Sequence, residues 1–145
     1  MLEGSRDQLI VALLFAGRHL LDAAIDGIAF VGERPAAADV AVLLALQAFP
    51  SSSQTELTAI LGRDKTTLSR TVSRLRKIGF VNARIDPIDG RRQTLELTEK
   101  AIALAVPALR SATERMTDIL SAMTPDEEKA CFRLMDVLLK DLVVV

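Results

Sequence analysis

Apolar residues recur along the chain at two different periods, and the change from one to the other marks its middle. Behind Ser5-Arg6-Asp7-Gln8, which has the spacing of a capping box, Ile10, Leu13, Leu14, Gly17, Leu21, Ala24, Ile25 and Ile28 follow a three- and four-residue rhythm. This predicts a long first helix. Gly32 and Pro35 punctuate a loop, after which Ala37 to Phe49 is apolar except for Asp39 and Gln47, the pattern of a helix buried on most sides. Pro50 and three serines end it. Ser53-Gln54-Thr55-Glu56 is a second capping box and introduces a short helix with Leu57, Ile60 and Leu61 on its inner face.

Gly62-Arg63-Asp64 forms a tight turn into a further helix, Lys65 to Ile78, whose apolar stripe is Leu68, Val72, Leu75 and Ile78. Gly79 suits a left-handed cap. From there the period falls to two: Val81, Ala83 and Ile85 alternate with Asn82 and Arg84, and Leu95 and Leu97 with Thr94 and Glu96. Two strands are predicted, joined by Asp86-Pro87-Ile88-Asp89-Gly90-Arg91-Arg92-Gln93. Thr98-Glu99 opens another helix carrying Ala105, Leu109, Ala112, Met116, Ile119 and Met123, which Pro107 should kink. Thr124-Pro125-Asp126-Glu127 caps the last helix, expected to run to about Leu142.

Charge sharpens the picture. The chain of 145 residues carries a net −1, yet from Arg63 to Arg92 nine Lys or Arg face three Asp, a local +6, and the remainder is −7. One basic segment therefore sits in an acidic body. The length suits one domain with a single core. Cys131 is the only cysteine and His19 the only histidine, so neither a disulfide nor a zinc knuckle can be assembled within the chain, and a soluble, cytoplasmic protein without a membrane segment is expected. No HExxH, Walker or GxSxG pattern is present, and the reading is of a protein without catalytic residues, metal or cofactor.

Two short helices joined by a glycine turn, the second basic and polar on its outer face, are a helix-turn-helix pattern; the hairpin behind them makes it a winged helix. The expected fold is mainly α with a small β-hairpin wing. Short Ser and Thr side chains allow close approach to a duplex, while Arg and Lys reach phosphates or the edge of guanine. Arg91 or Arg92 at the wing tip suits a narrow, electronegative minor groove. The partner so predicted is double-stranded DNA.

Ser53 to Leu57, Leu61-Gly62, Asp64 to Arg70, Leu75 to Val81, Asp86-Pro87 with Asp89 to Arg92, and Leu97 to Lys100 together resemble the MarR family of bacterial transcriptional regulators. The resemblance implies a homodimer, with residues 37–98 as the winged helix-turn-helix and residues 1–30 and 99–145 as the dimerisation part of one domain, 1–145. It places Thr66, Thr67, Ser69, Arg70 and Arg74 on the recognition helix, Ser53 and Gln54 at phosphate, and Arg91 in the minor groove; Lys65, Ser73 and Arg92, in the same basic segment, are further candidate DNA contacts. Asp89 would brace the wing by pairing with Arg70 or Arg74. A ligand-modulated repressor on a pseudo-palindromic operator is implied, with a small-molecule effector between the dimerisation helices and the winged helix. Independently, the first helix and Leu134, Met135, Val137, Leu138, Leu139 and Leu142 of the last, followed by Val143 to Val145, offer more apolar surface than one monomer covers. Phe15, Phe30 and Phe49 are the aromatic candidates for effector contact, and His19 and Cys131 read as ordinary helix residues. The alternative is a winged-helix protein-interaction module that does not bind specific DNA; an eroded basic face would mark it, and Arg70, Arg74, Arg91 and Arg92 are all present.

Overall fold

The computed structural model of the chain describes residues 4–27 and 35–142. Ile28, Phe30, Gly32 and Val143 to Val145 lie outside the described residues, as do the side chains of Ala24, Ala112, Ile119, Leu139 and Leu142. Seven helices and three short strands follow one another in the order α1 (Arg6–Gly27), α2 (Ala37–Ala48), β1 (Ser52–Ser53), α3 (Gln54–Leu61), α4 (Lys65–Lys77), β2 (Val81–Ile85), β3 (Gln93–Leu97), α5 (Glu99–Leu104), α6 (Val106–Ser121) and α7 (Pro125–Leu142) among the described residues.

The core forms around α2, as its almost unbroken apolar sequence requires. Val40, Val42, Leu43 and Leu46 are buried there against Leu57 of α3, Leu68, Val72 and Leu75 of α4, Phe80, Val81, Leu95, and Leu109 of α6. Each fully buried Leu or Val contributes roughly 1.5–3 kcal/mol of apolar transfer. Among the described residues α1 adds Ile25 to this core, with half-buried Leu21 packed against it, and its Ile10, Leu14 and Phe15 remain exposed. No described side chain of α7 is buried.

The capping sequences fold as their spacing predicts. Ser53 Oγ accepts from the Glu56 amide at 3.1 Å while the Glu56 carboxylate accepts from the Ser53 amide at 2.7 Å. Thr124 and Glu127 make the same reciprocal pair at the start of α7. Gly79 adopts φ +82°, and the amides of Gly79 and Phe80 return to the carbonyls of Arg76 and Leu75, so the end of α4 is a Schellman motif. Thr98 Oγ1 donates to the Gly79 carbonyl at 2.5 Å and Lys100 Nζ to the Ile78 carbonyl at 2.6 Å, which ties this corner to α5.

Two elements differ from expectation. The serines after Pro50 are more than a terminator: Ser52 and Ser53 pair antiparallel with Leu95 and Thr94, giving a three-stranded sheet of order β1-β3-β2. A two-residue strand has too little alternation to be seen in sequence. The helix through Pro107 is also divided, α5 ending at Leu104 and α6 beginning at Val106. Pro107 has no amide hydrogen to donate back one turn, so the break falls just ahead of it.

Candidate nucleic-acid interface

The outward face of α4 is set by its inward one. With Leu68, Val72 and Leu75 buried, the intervening positions Lys65, Thr66, Ser69, Arg70, Ser73 and Arg74 are exposed, and Thr67 is half-buried. Asp64 caps the helix, its Oδ1 accepting from the Thr67 amide at 2.8 Å. The hydroxyl and amide of Thr67 hold the Asp64 carboxyl below its ordinary value. Ser53 and Gln54, half-buried at the start of α3, are held by the capping box there.

The wing is closed by its own backbone and carboxylates. Strands β2 and β3 run antiparallel from Val81 opposite Leu97 to Ile85 opposite Gln93. Beyond them the Asp86 amide donates to the Arg92 carbonyl at 2.8 Å, and the Arg92 amide to the Asp89 carbonyl at 2.9 Å. Asp86 Oδ1 accepts from the Ile88 amide at 2.8 Å and the Asp89 amide at 3.3 Å. These amides, and then Arg92, hold the Asp86 carboxyl below its ordinary value.

The arginines fall into two groups. Arg92 Nη2 donates to both Glu56 carboxylate oxygens at 2.6 and 2.7 Å, and Nη1 lies 3.7 Å from Asp86. It clips the wing to the start of α3; Glu56 is held below its ordinary value by the Ser53 amide first and by Arg92 after it. Arg74 binds the buried Asp39 of α2, with Nε 3.2 Å from Oδ1 and Nη2 on Oδ2. Asp39 also accepts from the Ala36 amide at 2.8 Å, so one carboxylate both starts α2 and anchors α4. Arg84 pairs with Glu96 across the strands at 3.0 Å. Arg63, Lys65, Arg70 and Arg91 make no ion pair among the described residues.

This corrects the expected bracing. Asp89 Oδ1 accepts from the Arg91 amide at 3.0 Å and pairs with neither Arg70 nor Arg74 among the described residues. Arg74 is already bound to Asp39, and the clamp between wing and helix is Arg92 with Glu56 and Asp86. Arg74 and Arg92, expected as contacts to DNA, thus have carboxylate partners within the chain, whereas the guanidinium groups of Arg70 and Arg91 pair with none among the described residues. Sequence reasoning missed Glu56 and Asp39 as parts of this surface; the signal for Asp39 was its lone charge in an apolar helix.

A cavity of about 490 Å³ opens between α1, α2, the end of α3, and α6. Leu20, Leu21, Leu44, Phe49, Ile60 and Met116 line it, and Thr113 brings the one polar side chain among the lining residues. Of the aromatic candidates, Phe49 lines this cavity. His19 is exposed and does not line it, and Phe15 lies on the exposed face of α1.

Residues 35–92, which hold α2, the two helices of the basic segment and the wing, match the sequence model of the MarR family. This segment is similar to the MarR family of regulators. Solved MarR-like structures match nearly its whole length. The PcaV transcriptional regulator from Streptomyces coelicolor, solved with its natural ligand, is 29% identical, with 95% of this chain and 94% of that one covered and a TM-score of 0.58. A MarR/EmrR family transcriptional regulator from an Acinetobacter species is 23% identical over 94% and 95% of the two chains, with a TM-score of 0.67. BpsR of Bordetella bronchiseptica, whose DNA binding is regulated by 6-hydroxynicotinic acid, is 22% identical over 90% and 98%, with a TM-score of 0.58. Among curated protein sequences, nothing matches the chain. The helical body and small antiparallel sheet of this chain are those of its structural neighbours. Among the described residues, no helix is long and apolar enough to cross a membrane.

Proposed function

We propose that the chain is a non-catalytic, cytoplasmic repressor that binds a pseudo-palindromic operator as a homodimer and leaves it when a small molecule occupies the apolar cavity. Residues 37–98 are the DNA-binding part, and residues 1–30 and 99–145 the dimerisation part. The observation that carries this reading is the pairing pattern of the basic segment: Arg74 and Arg92 fix α4 and the wing to the body, while Lys65, Arg70 and Arg91 are exposed without a carboxylate partner among the described residues. Free cations on a rigid frame suit phosphate and base contacts.

α4 lies in the major groove with Thr66, Thr67, Ser69, Arg70 and Ser73 toward the duplex, Ser53 and Gln54 lie at phosphate, and Arg91 enters the adjacent minor groove. Two-fold symmetry sets the half-sites one turn apart, ~34 Å or about 10 base pairs. The effector acts by population shift: a ligand wedged between α1, α2 and α6 favours dimers whose two wings no longer match that spacing. Ligand control of PcaV and BpsR supports this part of the reading.

Fluorescence anisotropy on the duplex upstream of the protein's own gene and on a scrambled duplex, across a salt series, tests it. Preference for the upstream duplex with a steep salt slope is expected. Equal, weak binding to both would instead favour a winged-helix module for protein partners.

A further inference from the structure

A second cavity, of about 420 Å³, lies on another face of α2 from the apolar one, and its chemistry is different. Leu46, Pro50, Leu97, Ile102 and Val106 give it aliphatic walls, and Arg110 of α6 stands at it. The Arg110 guanidinium is exposed and makes no ion pair among the described residues. The carboxylate in the lining, Glu96, is already neutralised: it pairs with Arg84 at 3.0 Å and accepts from Ser51 Oγ at 3.1 Å. One unpaired positive charge therefore remains beside an aliphatic trough. The trough is of the size of small-molecule sites, roughly 300–1,000 Å³.

Its position gives it leverage. Ile102 and Val106 flank the break at Ala105 between α5 and α6, and Leu97 and Glu96 belong to the central strand of the sheet. Ser51 completes the wall in a left-handed conformation, φ +60°, the one such non-glycine residue among those described, held by its hydroxyl on Glu96. A molecule seated here touches the wing sheet and both sides of the α5–α6 break at once. Ile102 is 53% exposed, so apolar surface is available for it to cover.

From these features we infer that the groove is a second ligand site, for a short aliphatic monocarboxylate, with the carboxylate on Arg110 and the alkyl chain over Leu97, Ile102 and Val106. The lining contains no aromatic ring, which favours an alkyl body over an aromatic one. The apolar cavity between α1, α2 and α6 suits this ligand less well, because no lining side chain there carries a positive charge to pair with the carboxylate. An anionic effector and a neutral one thus have separate places in this chain. The inference concerns ligand binding alone and stands or falls independently of DNA binding.

Isothermal titration of the full chain with hexanoate, and with hexanamide as the uncharged counterpart, tests it. Hexanoate should bind at least about tenfold more tightly than hexanamide, the loss of one charge-assisted hydrogen bond. Arg110→Gln should remove that difference, and Ile102→Glu, a change at an exposed position, should abolish hexanoate binding. Ala41 of α2 also lines the apolar cavity, and Ala41→Leu, which narrows it, should leave hexanoate binding unchanged, with circular dichroism melting used to verify that each variant folds. Absence of hexanoate binding at millimolar concentration, equal affinity for the two probes, or unchanged binding in Arg110→Gln would overturn the assignment. So would loss of binding in folded Ala41→Leu, which would move the ligand to the other cavity.

Discussion

Arg91 and Arg92 are neighbours in sequence and opposites in state. Arg92 is committed to Glu56 and Asp86, while Arg91 contributes only its amide to the wing, through Asp89. A cation already neutralised inside the protein releases few counterions from DNA, whereas a free one releases nearly its full share. Arg91→Ala should therefore flatten the dependence of log affinity on log salt by about 0.9 for each wing engaged. Arg92→Ala should weaken binding with the slope nearly kept, because the wing loses its clip to α3 and no longer presents Arg91 in one place. Anisotropy titrations of both variants at several salt concentrations distinguish them. An equal change of slope in the two would mean that Arg92 leaves Glu56 to reach phosphate.

At the scale of elements, the bond between α2 and α4 fixes how α4 sits on the core. Asp39 is buried while Arg74 is 48% exposed, so water reaches one end of the pair. Removing one partner of a fully buried pair costs about 3–5 kcal/mol; with solvent on the arginine, Arg74→Ala should cost about 2–3 kcal/mol in urea unfolding. A loss below about 0.5 kcal/mol would show that Arg74 serves the surface and not the frame. The sequence made the elements themselves legible because their signals are local: capping boxes at Ser53 and Thr124, the stripe Leu68-Val72-Leu75, the glycine after α4, the two-residue alternation of the wing. The basic segment was legible for the same reason, as a run of charge. Which cations are free was not legible, since Asp39 stands 35 residues from Arg74 and Glu56 36 from Arg92. Such pairings exist only once α2, α3, α4 and the wing have packed. β1 was missed because two residues pairing with a distant strand leave no period to detect.

Taken as one body, a single copy of the chain leaves too much apolar surface in water. Leu14 of α1 is 69% exposed and Phe132 of α7 is 70% exposed, and none of the described side chains of α7 is buried. An isolated helix of this length is marginal, since most helical stability in proteins comes from packing one face. In the proposed homodimer a second copy covers α1 and α7 and provides that packing, with the two winged helices related by the two-fold axis. The homodimer proposed above therefore predicts that folding of α7 and dimerisation are one event. Phe132→Glu combined with Met135→Glu should convert a dimer at micromolar concentration into a monomer by sedimentation. Helical circular dichroism should fall by the share of α7, while the core around α2, which these residues do not join, keeps its own cooperative melt. On operator DNA the same variant should engage one half-site at a time, with about half the salt slope of the parent. A variant that stays dimeric with undiminished helicity would place the interface elsewhere and leave the exposed face of α7 without a partner in this chain.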